Sequence, residues 1–206
     1  MAELDHLVYS VPDLTAASSD AVRQFGAAPA FGGQHPGRGT HNALVSLGEC
    51  YLELISPDPT QPAPTSPRPF GIDGMSEPGF VAFAVRPSAG ETLDDLVAAM
   101  RDAGVDPGAA SAMSRATPSG ETLSWRLTFP DDRHGGVLPF LIDWGDTPKP
   151  HTTAPRGHTL ASLTIATDDV GLVAGVIDGL GLGDQIEVTA GEPALTPRLE
   201  HRQRGQ

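Results

Sequence analysis

The chain has 206 residues, and its apolar and charged fractions, 39% and 19%, suit an ordinary fold with a buried core. A formal net charge of -13 repels phosphate backbones and anionic lipid heads, so neither nucleic acid nor a membrane surface is an expected partner. The single cysteine, Cys50, excludes an intrachain disulfide and a clustered-cysteine zinc site.

No basic, apolar leader opens the sequence and no run reaches the roughly 20 apolar residues of a membrane span, so a cytoplasmic location is expected. Leu4 to Val11 (LDHLVYSV) reads as a strand, and Asp13 caps a helix from Leu14 to Phe25 that Gly26 stops. Two more strands are predicted, His41 to Leu47 and Cys50 to Ser56, with Gly48-Glu49 as the turn between them. Pro57 to Pro69 is too rich in proline for a helix or an inner strand, and reads as a semi-extended linker, with a lid over a pocket as the alternative. The order then repeats: strand at Phe80 to Val85, helix at Thr92 to Ala103, a weak strand at Ser111 to Thr117, then strands at Leu123 to Phe129 and Val137 to Trp144. A third pass runs from Leu160 through a helix at Val170 to Leu180 and two short strands, stopping short of a last strand.

The reading is therefore α+β, with tandem βαβββ units; curved mixed sheets around a concave cleft are what the family resemblance given below implies. The first unit spans 1–56, a linker 57–79, the second unit 80–147, and a partial βαββ unit 148–206. Strand alternation sorts the faces. Ala43, Val45 and Leu47 go under the helices, leaving Thr40, Asn42, Leu44 and Ser46 for the cleft. Leu123, Trp125, Leu127 and Phe129 form the packed set of their strand, leaving Ser124, Arg126 and Thr128 for the cleft. His6 and Glu53 each interrupt an apolar strand, and a lone carboxylate there is costly to bury unless it is paired or metal-bound. His6 reads either as a hydrogen-bonded strand histidine or as a ligand, and Glu53 either as a ligand or as the partner of Arg126 across the cleft. No P-loop, G-x-G-x-x-G, G-x-S-x-G or H-E-x-x-H motif is present.

The run Gly33 to Leu44 (GQHPGRGTHNAL), together with Leu4 to Val8, Tyr51 to Ile55 and Leu138 to Gly145, resembles the glyoxalase-like proteins of the vicinal oxygen chelate superfamily, which includes glyoxalase I, extradiol dioxygenases and bleomycin-resistance proteins. The resemblance implies a cleft holding a small oxygen-rich molecule and a divalent metal (Zn, Fe, Mn, Ni or Co), with His6 and Glu53 as ligands and Glu53 moving a proton. Aligning the second unit on the first places Phe80 opposite His6 and Phe140 opposite Glu53, so the sequence supplies half of a ligand set. Substrate contacts are expected from His35, Thr40, Asn42, Tyr51, Phe80, Ser124, Arg126 and Phe140. Two functions follow: a metal-dependent lyase, isomerase or dioxygenase-like enzyme, or a metal-free binding or resistance protein. The odd number of units leaves one without a mate, which makes a homodimer an expectation.

Overall fold

The computed structural model describes residues 1–116, 120, 122–130 and 133–201. Thr117, expected at a strand end, and Asp131 and Asp132, expected in a loop, lie outside the described residues.

The first unit comprises β1 (Glu3–Ser10), α1 (Leu14–Phe25), β2 (Ala30–His35), β3 (Thr40–Ser46) and β4 (Tyr51–Pro57). Asp13 accepts the Ala16 amide at 2.8 Å to open α1, and Gly26, at φ 84°, closes it in the left-handed region that glycine enters without a Cβ penalty. The helical crossover carries the chain back so that β4 lies parallel to β1. The second unit repeats the order with β5 (Gly79–Arg86), α2 (Leu93–Asp102), β6 (Ser111–Ala116), β7 (Thr122–Thr128) and β8 (Phe140–Asp143). Thr92 and Asp95 cap α2 reciprocally.

β1 and β5 pair antiparallel and fuse the two units into one sheet of order β2-β3-β4-β1-β5-β8-β7-β6. The pairing is symmetric about Leu7 and Phe83, with matched irregularities at Asp5 and Val81. The sheet curls until its edges approach, and the Arg115 guanidinium of β6 donates to the Gly32 carbonyl of β2.

Both faces of this sheet bury apolar side chains. On the convex side Leu7, Val45, Leu47, Leu52, Phe83 and Leu141 pack with Phe25 of α1 and Leu96 and Met100 of α2. On the concave side Leu44, Tyr51, Ile55, Trp125, Leu127, Phe140, Ile142 and Trp144 form a separate cluster. The expected face of β3 therefore holds, and that of β7 is reversed. Trp125 and Leu127 are buried, but toward the cleft, while Ser124 and Arg126 face outward and Thr128 is buried. Alternation shows which residues share a face; it cannot say which face is the cleft when both are apolar.

The third segment has β9 (Thr159–Thr167), α3 (Val170–Gly179), β10 (Ile186–Ala190) and β11 (Ala194–Glu200) in a sheet of order β10-β9-β11. β10 runs parallel to β9 as β4 does to β1, and β11 runs antiparallel to it as β5 does. The strands with no counterpart are thus the middle pair, not the last. Leu163, Ile165 and Val176 join the convex core. No helix among the described residues is long and apolar enough to cross a membrane.

Candidate functional site

The concave face lines a narrow cleft of about 680 Å³, a volume that includes open solvent at its mouth. Its two walls differ in chemistry because they come from different units. The first unit supplies His6 from β1, His35 from β2, Thr40 and Asn42 from β3, and Tyr51 and Glu53 from β4, with Arg38 from the turn between β2 and β3. The second supplies Trp125 and Leu127 from β7, Phe129 just beyond it, Phe140 and Ile142 from β8, and Trp144 just after. Phe129 and Phe140 stack at 5.1 Å between centroids, and Trp125 lies 5.3 Å from Trp144. Leu44 and Ile55 of the first unit, Met113 and Arg115 of β6, and Pro69 and Phe70 of the linker complete the lining.

A chain of buried polar groups runs into the first wall. Asp5 is fully buried and accepts His6 Nδ1–H at 2.6 Å, Arg86 at 3.2 Å and the Trp144 indole N–H at 3.1 Å. The irregularity in the β1–β5 register at this point lets Asp5 and His6 cooperate, where strict alternation would send neighbours to opposite faces. Held this way, His6 stacks on Tyr51 at 4.5 Å and turns Nε2 toward Glu53 Oε2, 3.5 Å away. The other Glu53 oxygen accepts the Asn42 amide at 2.6 Å and lies 3.7 Å from His35 Nε2. His35 Nδ1 in turn meets the Thr40 hydroxyl at 2.9 Å.

Burial works against charge on both central groups, and their neighbours outweigh it. For His6 the two carboxylates raise the imidazole to about 9, and for Glu53 the His6, His35 and Asn42 contacts lower the carboxyl to about 2. His35 goes the other way: its burial keeps the ring below the ordinary histidine range despite the attraction of Glu53. The first wall therefore presents an imidazolium, a carboxylate and a neutral imidazole side by side. Burial also lowers Arg115, although Tyr51 and Glu53 draw on its charge.

Of the side chains expected to touch a substrate, His35, Thr40, Asn42, Tyr51 and Phe140 line the cleft beside His6 and Glu53. Three do not. Phe80 packs on the convex side against Tyr9 at 4.8 Å and Phe25 at 6.4 Å, because the Val81 irregularity shifts its position. The pairing symmetry makes Ala82, not Phe80, the counterpart of His6. Ser124 and Arg126 border a shallow outer groove with Asp143, so Arg126 cannot meet Glu53 across the cleft. The cations that do reach the cleft, Arg115 and Arg38, escaped the sequence reading. Arg115 was legible as a lone charge sharing a strand face with Met113, once β6 was known to close against β2.

A divalent metal, implied by the resemblance, needs about three protein ligands. The counterparts of His6 and Glu53 in the second unit are Ala82 and Phe140, neither of which ligates. Among the described residues no group of three His, Cys, Asp or Glu side chains is arranged to hold an ion. The residues present do not fit a chelated metal.

Paired βαβββ units around a cleft define the class to which this fold belongs. The family model for the glyoxalase-like domain matches residues 4–181, and the chain belongs to that family, within the vicinal oxygen chelate superfamily. No curated protein matches the chain. Among solved structures it is similar in fold to a hypothetical protein from Staphylococcus aureus, at 15% identity over 87% of this chain and 75% of that one, with a TM-score of 0.63. A methylmalonyl-CoA epimerase from Mycobacterium tuberculosis matches at 20% identity, covering 69% of this chain and 87% of that one, with a TM-score of 0.45. A substituted Streptomyces coelicolor methylmalonyl-CoA epimerase, in complex with 2-nitronate-propionyl-CoA, matches at 21% identity over 72% and 98% of the respective chains, with a TM-score of 0.46.

Proposed function

We propose that the cleft binds a small molecule with a flat apolar body and an oxygen-bearing head, and that the protein acts by holding it. The observation that carries this reading is the division of one cleft between two walls. Both tryptophans of the chain lie on the apolar wall with Phe129 and Phe140, while Asn42, His35 and Glu53 face them. A mainly apolar pocket with a few convergent polar groups is the usual form of a small-molecule site. Arg115 and Arg38 favour a head that carries negative charge or a carbonyl oxygen.

The second reading is an enzyme, a lyase, isomerase or dioxygenase-like catalyst with Glu53 moving a proton. The Asp5–His6–Glu53 chain favours it, because it holds a carboxylate fixed at the cleft wall. Binding is tested by titrating naphthoate, a flat ring with a carboxylate head, while following tryptophan fluorescence. The expected result is a saturable change that Arg115→Ala weakens about ten-fold, the worth of one charge-assisted hydrogen bond. A signal that never saturates, or one indifferent to Arg115→Ala, counts against the reading. Metal content of the purified chain separates a metal-free cleft from a metal-dependent one. Binding without a metal predicts far less than one ion per chain, and a stoichiometric ion lost in both His6→Ala and Glu53→Ala would overturn it.

A further inference from the structure

The segment between β4 and β5 runs along the cleft and contributes Pro69 and the ring of Phe70 to its lining. Phe70 sits at φ 64° and ψ 11°, and Gly71 follows at φ 68° and ψ 19°. Glycine enters this left-handed region freely, whereas a phenylalanine there is strained by its Cβ. The compensation lies in the ring, which packs 5.7 Å from Phe129 and 5.6 Å from Phe140, with the Arg133 guanidinium 4.9 Å over it. On either side the segment is pinned by other residues. Arg68 donates to the Gly39 carbonyl at 2.8 Å and pairs with Asp73 at 2.6 Å, and Ile72 is buried. The strain is confined to the residue that carries the ring, while the anchors stand on both flanks.

We propose that Phe70 is a displaceable lid whose ring occupies the seat a ligand's ring takes. This rests on the reading that the cleft binds a ring-bearing molecule. Distances show that Phe70 fills this face of the cleft. A ring inserted between two others needs two contacts of about 3.5 Å, roughly 7 Å in all, and the spacings of Phe70 from Phe129 and Phe140 fall short of that. A ligand that stacks on this face of Phe129 and Phe140 therefore has to move Phe70. The anchors at Arg68, Asp73 and Ile72 let the ring leave without releasing the segment, and its departure frees the backbone from the left-handed conformation. The lid lowers the affinity of every ring ligand by the fraction of time it stays closed, and so sets which ligands repay its opening.

The test compares wild type with Phe70→Ala and with Phe70→Gly, which accepts the left-handed backbone and keeps the comparison alive should the alanine variant fold poorly. Naphthoate is titrated by tryptophan fluorescence, and acrylamide quenching of Trp125 and Trp144 is measured without ligand. The lid predicts naphthoate binding several-fold tighter in both variants and stronger acrylamide quenching, with the near-ultraviolet circular dichroism of a folded protein. Equal or weaker naphthoate binding in folded variants overturns it and makes Phe70 a wall. If naphthoate binds none of the three proteins, the ring-ligand reading fails and takes the lid with it, an outcome distinct from naphthoate that binds wild type and gains nothing in the variants.

Discussion

Asp5 touches no ligand in this account, yet three side chains of the site depend on it. Its carboxylate accepts from His6, Arg86 and Trp144 while fully buried. Asp5→Asn leaves two buried cations with a lost partner, so unfolding in urea is expected to show a loss of about 3 kcal/mol. Asp58 makes a different prediction. Its buried carboxylate accepts from Gln34, Thr60 and Gln61, and although burial works to raise its pKa, these hydrogen bonds hold it below the ordinary carboxylate range. A depressed folded pKa contributes stability above the ordinary range that is lost as the pH falls through and below it. The stability gap between wild type and Asp58→Asn is therefore expected to be full near neutrality and to shrink below about pH 4; a gap that is constant with pH contradicts this. At this scale His6 and Glu53 were legible because each breaks an apolar strand. Asp5 was not, because its inward turn depends on a register shift that involves β5, more than 70 residues away.

At the scale of elements, the strands and helices were legible where local chemistry marks them. Asp13 and Gly26 bound α1, and Thr92 with Asp95 opens α2. What the sequence left ambiguous was the assignment of faces. β7 carries Trp125 and Leu127 on one side and Ser124 and Arg126 on the other, and the apolar side proved to be the cleft. The linker was half legible: its prolines announced an extended path, but nothing local announced Phe70 turned inward with a positive φ. The entry into β8 yields a prediction. Gly136 has φ 96°, and a Cβ there would lie 2.2 Å from the Val81 carbonyl oxygen at the β5 irregularity. Gly136→Ala is expected to cost more than about 2 kcal/mol of stability in a denaturant titration, combining backbone strain with a collision that no rotamer relieves. A loss under about 0.5 kcal/mol would mean that this turn and β5 are not packed as described.

For the whole molecule, the repeat of βαβββ units was legible in the order of predicted elements, and pairing across β1 and β5 makes one cleft from two units. The third segment was legible as an incomplete repeat, but which strands it lacks depends on parallel pairing that periodicity does not encode. In the proposed function the polar wall of one unit and the aromatic wall of the other form a single binding site. Calorimetric titration of naphthoate into wild type, Asn42→Ala and Phe129→Leu tests it with one substitution on each wall. One-to-one binding is expected in wild type and weaker binding in both variants, with the larger loss of heat in Asn42→Ala. Binding that is unchanged when either wall is altered would contradict it.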